Sequence, residues 1–287
     1  MSIYRGRFAP SPTGPLHAGS IVAALASKLD ALAHGGSWLV RIEDIDPPRE
    51  VKGASDSIIA TLDALRLRSD LPVLYQHTRI GAYEQEIERL LRIGAAFECR
   101  CSRSDLAAGG GIHRGVCVAS SSNKTPAIRW RALAERVEFI DRCVGLFAQK
   151  LDVEVGDVVL RRADGLIAYQ LAVVVDDAHQ GITDVVRGDD LLDSTPRQIA
   201  LGAALGYPPL RYLHVPVVRG ANGAKLSKQN LADGVDATDP LAALAAAAKH
   251  LKLPSAANVN VDAALGFWTE HWSRRWRDQN AQLVVST

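Results

Sequence analysis

The sequence lacks an excess of charge of either sign, a long apolar run and a wide spread of cysteines. Its 287 residues carry 33 Lys+Arg against 32 Asp+Glu, a formal net charge of +1, with no long single-sign block. This balance argues against a disordered chain, although a local basic surface remains compatible with it. No stretch approaches the ~18 consecutive apolar residues that cross a bilayer, and the N-terminal residues do not resemble a signal peptide. We therefore expect a soluble, cytoplasmic protein without a membrane partner.

Cysteines are scarce and unevenly placed. Three of the four, Cys99, Cys101 and Cys117, lie close together in the sequence, whereas Cys143 stands apart. A secreted disulfide framework of this size normally carries more cysteines with a wider spread. An intracellular cluster instead favours a metal site or redox chemistry. The chain length suggests about two domains and is ample for a sizeable core.

Hydrophobic periodicity predicts an α/β fold with a parallel sheet. A strand at residues 3–8, a helix at about 16–34 and a strand at 38–42 form one β-α-β unit. Helical patterns follow near 53–66 and 79–93, and further strands are predicted at 158–160, 182–187 and 213–218. Thr195 and Pro196 are typical of the N-cap and first position of another helix.

Residues 96–130 differ from the rest of the chain. They contain three Cys, a run of three Gly and a Ser-rich run, with little periodicity. Such a segment cannot build a core from its own apolar residues, so a metal or a host domain must hold it. We interpret it as an insertion between the first half (1–95) and the second half (131–238) of the α/β domain. Residues 239–287 are predicted to form a helical C-terminal segment.

Two stretches have features of phosphate-binding loops. RFAPSPTGPLHAGS, from Arg7 to Ser20, lies where the first strand gives way to the first helix, and a helix N-terminus at such a position favours phosphate. It is neither a P-loop nor the Gly-x-Gly-x-x-Gly motif. Lys225 and Lys228 lie in a Gly-rich loop after a predicted strand, where they can follow the charge of a transferring phosphate. Taken singly, a capped surface His17 and a solvated turn are the simpler interpretations.

Together the two stretches resemble the HIGH and KMSKS motifs of class I aminoacyl-tRNA synthetases, here HAGS (17–20) and KLSKQ (225–229). Four further segments resemble the catalytic domain of glutamyl-tRNA synthetases: RIEDID (41–46), YQLAVVVDD (169–177), GITDVVRG (181–188) and STPRQ (194–198). They occur in that family's order and span most of the chain. The resemblance implies an α/β fold, a Rossmann-like class I synthetase catalytic domain with a zinc-binding insertion and a short all-helical C-terminal part.

The part of the chain after KLSKQ suggests a particular branch of this family. It is too short for the anticodon-binding region of a full glutamyl-tRNA synthetase, and RIEDIDPPRE and AKLSKQN fit the truncated paralogues, the glutamyl-Q tRNA(Asp) synthetases. That resemblance implies a ligase that uses ATP to activate L-glutamate to glutamyl-AMP without tRNA, and we expect it to be a monomer. It would then transfer glutamate to the queuosine base at the wobble position of tRNA(Asp). The alternatives are a minimal glutamyl-tRNA synthetase that charges a terminal adenosine and a catalytically silent glutamate- or tRNA-binding paralogue.

The resemblance also implies the glutamate-binding residues: Arg7, Ala9, Ser11, Glu43, Tyr169 and Arg187. Physical chemistry agrees, because a dicarboxylate with an α-ammonium group needs Arg forks for its carboxylates and an acidic residue for its amine. Arg7 and Arg187 are the expected forks, and Glu43 is the expected ammonium partner. The alternative for Glu43 is a salt bridge to Arg41 or Arg49.

The implied catalytic residues are His17, Lys225 and Lys228, and the implied ATP-binding residues are His17, Gly19, Ser20 and Lys228. His17 would contact the ATP phosphates, Lys228 would stabilise the leaving pyrophosphate, and Mg²⁺ is expected with ATP through phosphate oxygens. The chain departs from the family pattern at Ser20, which replaces the second His of HIGH, and at Gln229, which replaces the final Ser of KMSKS. Because a hydroxyl still donates a hydrogen bond, we expect slower activation rather than none.

The cysteine cluster predicts a structural metal centre. Cys99, Cys101, His113 and Cys117 follow the spacing Cys-x-Cys-x11-His-x3-Cys, which supplies three thiolates and an imidazole. Four such ligands complete the tetrahedral set of one structural Zn²⁺ ion. The alternative is three free thiols and a surface His in a Gly-rich loop.

The C-terminal segment carries Trp268, Trp272 and Trp276, which share one helical face. We expect this stripe to pack the helix on the body of the protein, with base stacking as the alternative.

Overall fold

The computed structural model describes residues 4–107, 110–120, 123, 125–132, 136–218, 234–256 and 258–276. A parallel β-α-β unit opens the chain: β1 (Arg5–Phe8), α1 (Ala18–Ala33) and β2 (Ser37–Ile42), with β3 (Leu74–Tyr75) beyond β2. The turn before β2 requires glycine, because a Cβ on Gly36 would lie 2.4 Å from the Tyr4 carbonyl oxygen. The close contact between Gly36 and Tyr4 places the start of β2 directly beside the start of β1, where Arg5 pairs with Ser37.

A second sheet continues the parallel arrangement. It contains β9 (Asp184–Gly188) and β10 (Arg211–Val215) as parallel neighbours, then β6 (Arg136–Asp141) and β7 (Gly145–Lys150) as an antiparallel hairpin. The backbone N–H of Thr183 donates to the Arg5 carbonyl at 2.9 Å, which joins the strands β9 and β1 near their starts. The carboxyl ends of β1, β2, β9 and β10 therefore open toward one side of the molecule.

Helices cover the sheets. They are α2 (Ala54–Ala64), α3 (Ile80–Arg92), α6 (Tyr169–His179) and α7 (Thr195–Ala204), in addition to α1. The fully buried α1 residues Leu25 and Leu29 belong to the main core together with Trp38 of β2. Because both faces of the parallel strands are covered, β2 is apolar and buried almost throughout.

The region around the cysteine cluster contains a third, antiparallel sheet. Its strands are β4 (Ala96–Cys99), β5 (Ala127–Trp130) and β8 (Val158–Arg161), and the short helices α4 (Arg103–Leu106) and α5 (Leu151–Glu154) flank it. Trp130 and Leu160 share a second core with Tyr83 of α3 and Leu171 of α6. The segment thus obtains its apolar partners from the α/β body, because its own sequence supplies few.

The C-terminal part consists of α8 (Pro240–His250) and α9 (Val261–Trp276), as far as residue 276. Trp268, Trp272 and Trp276 are all buried in the main core, which confirms the predicted packing stripe. The Trp272 indole N–H also donates to the buried Asp30 carboxylate of α1 at 2.8 Å. No helix within the described residues has the length and apolar character needed to cross a bilayer.

Several sequence-based boundaries need correction. Thr195 is the first residue of α7 and not its N-cap, which is Ser194, because the Thr195 hydroxyl is engaged by Arg187 at 2.8 Å instead of capping the helix. The strand predicted at 213–218 begins at Arg211 and ends at Val215. The β6–β7 hairpin was missed, because its strands are only partly buried and show no clear alternation.

Candidate active site

The parallel strands and α1 enclose a cavity of about 270 Å³ at their carboxyl ends. It is lined by every described residue predicted to bind glutamate or ATP: Arg7, Ala9, Ser11, His17, Gly19, Ser20, Glu43, Tyr169 and Arg187. The fold collects them because β1, β2 and β9 end here and α1 and α6 begin here. Lys225 and Lys228, with Gln229, lie outside the described residues.

His17 occupies the start of the 16-residue helix α1. It is the N-cap residue, and its Nδ1 accepts the backbone N–H of Ser20 at 3.3 Å. With Nδ1 as an acceptor, the neutral ring carries its proton on Nε2, which can donate to an anion. Gly19 and Ser20 lie in the same first turn, where the helix dipole favours phosphate. The arrangement suits a triphosphate placed across the N-terminus of α1.

Arg7 belongs to a buried network of charges. Its Nε donates to Asp177 at 3.1 Å, and Asp177 also pairs with Nη1 of Arg41 at 2.8 Å. Although burial raises the pKa of Asp177, the two guanidinium groups hold it below its ordinary value. Asp177 thus keeps its charge and fixes Arg7 by one edge of the guanidinium.

Glu43, which directly follows β2, is one of two acidic residues that line the cavity, the other being Asp190. Nη2 of Arg41 lies 3.5 Å from its Oε1, so the expected alternative contact with Arg41 is present, although long. Arg49, the other alternative, pairs with Asp46 at 2.5 Å. Burial raises the pKa of Glu43 to about 7 against the opposing effect of Arg41 and Arg7. A ligand cation in the cavity would offset this cost of burial.

Arg187, on β9, is held by neutral groups. Its Nη2 donates to Thr195 Oγ1 and Gln198 Oε1, both at 2.8 Å, and its Nε donates to His214 Nε2 at 3.1 Å. The Tyr169 hydroxyl lies 3.5 Å from Nη1. Among the described residues no carboxylate lies within ion-pairing distance of Arg187, so its charge is available to a ligand carboxylate.

Sequence reasoning missed three side chains that hold this cavity in shape: Asp177, Gln198 and His214. Asp177 and Gln198 lie in the motif segments YQLAVVVDD and STPRQ but received no role of their own. His214 is fully buried within the apolar strand β10. A His inside an apolar strand is the signal that could have marked it, because a buried imidazole needs polar partners.

The cysteine cluster forms a separate candidate metal centre. Sulfur atoms of Cys99 and Cys101 and a ring nitrogen of His113 lie within 4.8 Å of one another. Cys117 Sγ is 3.7 Å from Cys101 Sγ, close to the roughly 3.8 Å that tetrahedral Zn–S bonds of about 2.3 Å impose. Backbone N–H groups of Arg100 and Val118 point at two of the sulfurs, at 3.4 and 3.1 Å.

His113 supports the same interpretation. Its ring is buried, and Nδ1 lies 2.6 Å from Asp157 Oδ2, while Nε2 is buried without a hydrogen-bond partner. A metal-binding imidazole commonly donates its second nitrogen to a carboxylate, which orients the ring and raises its basicity. The donor set therefore fits a metal ion bound through Nε2 and sulfur.

A wider groove of about 1310 Å³ connects the two sites. Glu43 and Tyr169 line it at the cavity end, and Cys101 and Arg103 line it at the metal centre. Arg197 also lines the groove, and its Nη2 donates to the Asp193 carbonyl at 3.0 Å. The groove leaves the cavity open on the side of the antiparallel sheet.

Comparison with known proteins identifies related chains. The family model described as tRNA synthetases class I (E and Q), catalytic domain, matches residues 4–137 and 118–239. A glutamyl-Q tRNA(Asp) synthetase of Xanthomonas campestris pv. campestris (strain 8004) is 56% identical over 288 residues, covering 99% of this chain and 96% of that protein. The protein of the same name from Burkholderia cenocepacia (strain ATCC BAA-245) is 52% identical over 290 residues, covering 95% and 97%.

Solved structures show the same catalytic fold. A glutamate tRNA ligase from Elizabethkingia meningosepticum, in complex with its amino acid, superposes with a TM-score of 0.69 at 27% identity. It covers 79% of this chain and 52% of that chain. The glutamate-tRNA synthetase of Elizabethkingia anophelis has a TM-score of 0.70 at 26% identity and covers 80% and 53%. The chain thus spans about half the length of these two structures.

Proposed function

The chain belongs to the class I tRNA synthetases of the glutamate and glutamine group, and we propose that it activates L-glutamate with ATP, without tRNA, and transfers it to the queuosine base at the wobble position of tRNA(Asp). The observation that carries this proposal is the 56% identity, over almost the whole of both chains, to a relative named glutamyl-Q tRNA(Asp) synthetase. The shape and charge of the cavity support glutamate as the amino acid. ATP, glutamate and queuosine-containing tRNA(Asp) are the proposed partners of a cytoplasmic monomer.

In the proposed mechanism the cavity positions glutamate by charge. Arg7 and Arg187 bind its carboxylates, and ionised Glu43 binds the α-ammonium group, with Ala9, Ser11 and Tyr169 completing the walls. An oxygen of the α-carboxylate then attacks the α-phosphorus of ATP in line, and the bond from that phosphorus to the departing pyrophosphate breaks, which leaves glutamyl-AMP. Because no protein nucleophile is needed, catalysis consists of positioning and electrostatic stabilisation.

The nucleotide is proposed to lie across the first turn of α1. His17, Gly19 and Ser20 contact its phosphates, and Lys225 and Lys228 neutralise the charge that develops on pyrophosphate. Mg²⁺ bound together with ATP would supply further neutralisation of the phosphate charge. Glutamyl-AMP stays in the cavity until the modified base enters through the groove.

We also propose that Cys99, Cys101, His113 and Cys117 hold one Zn²⁺ ion with a structural role. Four protein ligands leave no open position for substrate, so the ion would stabilise the loop between β4 and β5. The paired sulfur atoms, the orphan Nε2 of His113 and its bond to Asp157 support this assignment.

A second candidate is a minimal glutamyl-tRNA synthetase that charges a terminal adenosine. The similarity to two solved glutamate tRNA ligases favours it. A third possibility, a silent paralogue that binds glutamate or tRNA, was suggested by Ser20. The cavity retains His17, Arg7, Glu43 and Arg187 in one place, which favours an active enzyme.

Two assays distinguish these candidates. Glutamate-dependent pyrophosphate exchange without tRNA should be measurable, and zero exchange would support the silent paralogue. Radiolabelled glutamate should then label queuosine-containing tRNA(Asp) but not the same tRNA lacking queuosine. Prior periodate oxidation of the diol of the queuosine base should abolish this labelling. Removal of the terminal adenosine should leave the labelling intact. Equal labelling of both tRNAs, with loss on removal of that adenosine, would establish terminal charging instead.

A further inference from the structure

The imidazole of His214 lies behind the glutamate cavity, between Asp141 and Arg187. It is fully buried on β10, with Nδ1 2.7 Å from Asp141 Oδ2 and Nε2 3.1 Å from Arg187 Nε. Neither His214 nor Asp141 lines the cavity itself. Any effect of this pair on a substrate must therefore pass through Arg187.

The hydrogen bonds determine the protonation state of His214. The His214 Nε2 faces two groups at 3.1 Å, the Nε–H of Arg187 and the Thr195 hydroxyl. The Nε–H of Arg187 can only donate, so this nitrogen must carry a lone pair, which the hydroxyl can share as a second donor. The ring proton of the neutral form then lies on Nδ1 and is donated to Asp141. Burial and the nearby Arg187 lower the pKa of His214, against the opposing effect of Asp141, which is consistent with a neutral ring.

Asp141 is itself firmly held. Its Oδ1 accepts the backbone N–H groups of Cys143 and Val144, both at 2.9 Å, and its Oδ2 accepts the backbone N–H of His214 at 3.0 Å. Although burial raises the pKa of Asp141, the bonds from His214 and these backbone groups hold it below its ordinary value. The turn between β6 and β7 thus provides a rigid anchor for the ring.

The two arginines of the cavity, Arg7 and Arg187, are both anchored through Nε, but the groups that accept this hydrogen bond differ. Arg7 donates its Nε to a carboxylate, Asp177, whereas Arg187 donates its Nε to a neutral imidazole. An ion-paired arginine loses part of its attraction for a second anion, while a neutral acceptor fixes the orientation and leaves the charge uncompensated. With Nη2 bound to Thr195 and Gln198, the remaining Nη1 is presented beside Tyr169.

We propose that Asp141 and His214 form a positioning pair that orients Arg187 and keeps its full charge available to a substrate carboxylate. The inference rests on the proposed function, because it assumes that Arg187 binds glutamate. The competing explanation is that His214 only fills space between Phe139 and Tyr212, whose rings lie 6.3 and 6.1 Å from it, while Thr195 and Gln198 alone hold Arg187.

Two variants of one residue separate these explanations. His214→Gln places an amide oxygen near the position of Nε2 and can still accept a hydrogen bond from Arg187. The shorter side chain of His214→Asn reaches only the Nδ1 position, so it can hydrogen-bond to Asp141 but not to Arg187. In pyrophosphate exchange, His214→Asn should raise the KM for glutamate by about ten- to a hundredfold, the usual effect of losing a hydrogen bond to a charged group. The KM for ATP should stay within about twofold, and His214→Gln should recover most of the loss.

Either of two results would overturn the positioning role: equal KM values for glutamate in the Asn and Gln variants, or parallel increases for glutamate and ATP. A second measurement does not depend on activity. ¹⁵N–¹H correlation spectra of the wild-type imidazoles should show His214 as the neutral Nδ1–H tautomer, and an Nε2–H tautomer would refute the inferred bond to Arg187. If wild-type protein shows no exchange, the proposed function fails, while the spectrum still tests the pair.

Discussion

Replacing Glu43 by Gln should change stability and activity in opposite directions. Glu43 is 8% exposed, and burial raises its pKa from 4.5 to about 7 even beside Arg41 and Arg7. Gln has the shape of the protonated form and carries no charge. The substitution therefore removes the cost of burying a carboxylate and, at the same time, removes the proposed partner of the glutamate ammonium group.

The sign of the stability effect follows from proton linkage. Between pH 4.5 and about 7 the folded protein binds more protons at Glu43 than the unfolded chain, so stability falls as pH rises through this window. The rise in pKa corresponds to about 3 kcal/mol, which is fully lost above pH 7. Glu43→Gln should consequently be more stable than wild type at pH 8, by up to about 3 kcal/mol, and similar to it near pH 4.5.

The activity effect has the opposite pH dependence. A carboxyl with a pKa of about 7 is roughly nine-tenths ionised at pH 8 and one-tenth ionised at pH 6, so kcat/KM for glutamate should fall about tenfold from pH 8 to pH 6. Glu43→Gln should have little activity at either pH. The assays are pyrophosphate exchange at low glutamate from pH 5.5 to 8.5 and urea unfolding at three pH values. The exposed Glu88 of α3 provides the matched control, Glu88→Gln.

Two results would refute this reasoning. If kcat/KM for glutamate and kcat/KM for ATP both stay constant from pH 6 to 8, Glu43 does not have the raised pKa of about 7. Destabilisation of Glu43→Gln at pH 8 would mean that the ion pair with Arg41 outweighs desolvation. The Glu88→Gln control should match wild type in both assays.

Arg187→Ala and Lys228→Ala should each abolish most pyrophosphate exchange without unfolding the protein, and retained exchange beside a native circular dichroism spectrum would argue against the assigned site. Metal analysis of the wild-type protein should find about one zinc per chain, as four ligands at one site require. Cys101→Ser should release the metal and lower the melting temperature. A metal-free wild type would disprove the four-ligand site. Trp272→Ala should destabilise the fold by about 3–5 kcal/mol, because it opens a cavity in the main core and removes the indole bond to Asp30, and a denaturant midpoint equal to that of wild type would contradict this packing.

Much of the fold was predictable because the β-α-β unit has strong periodicity. The positions of α1 and β2 follow from apolar spacing and from the glycine pair at 35–36, and the structure confirms both within two residues. In the antiparallel sheet only β8 was predicted, at 158–160, whereas β4, β5 and the hairpin β6–β7 were not predictable in this way. Their residues are partly exposed, and they depend on partners distant in the chain, such as Tyr83 and Leu171.

By itself the sequence determined the family, the predicted glutamate- and ATP-site residues that line the cavity and the spacing of the candidate Cys and His metal ligands. These features are encoded by short motifs whose residue types are chemically specific. Only the tertiary structure decided how the charges are arranged. Asp177 neutralises part of the charge of Arg7, whereas Arg187 donates to the neutral His214 and has no carboxylate partner in the part of the chain that the structure describes. These contacts join residues 170 and 27 positions apart, and packing alone sets their distances and burial. Burial, not local sequence, is also what moves the pKa of Glu43 to about 7.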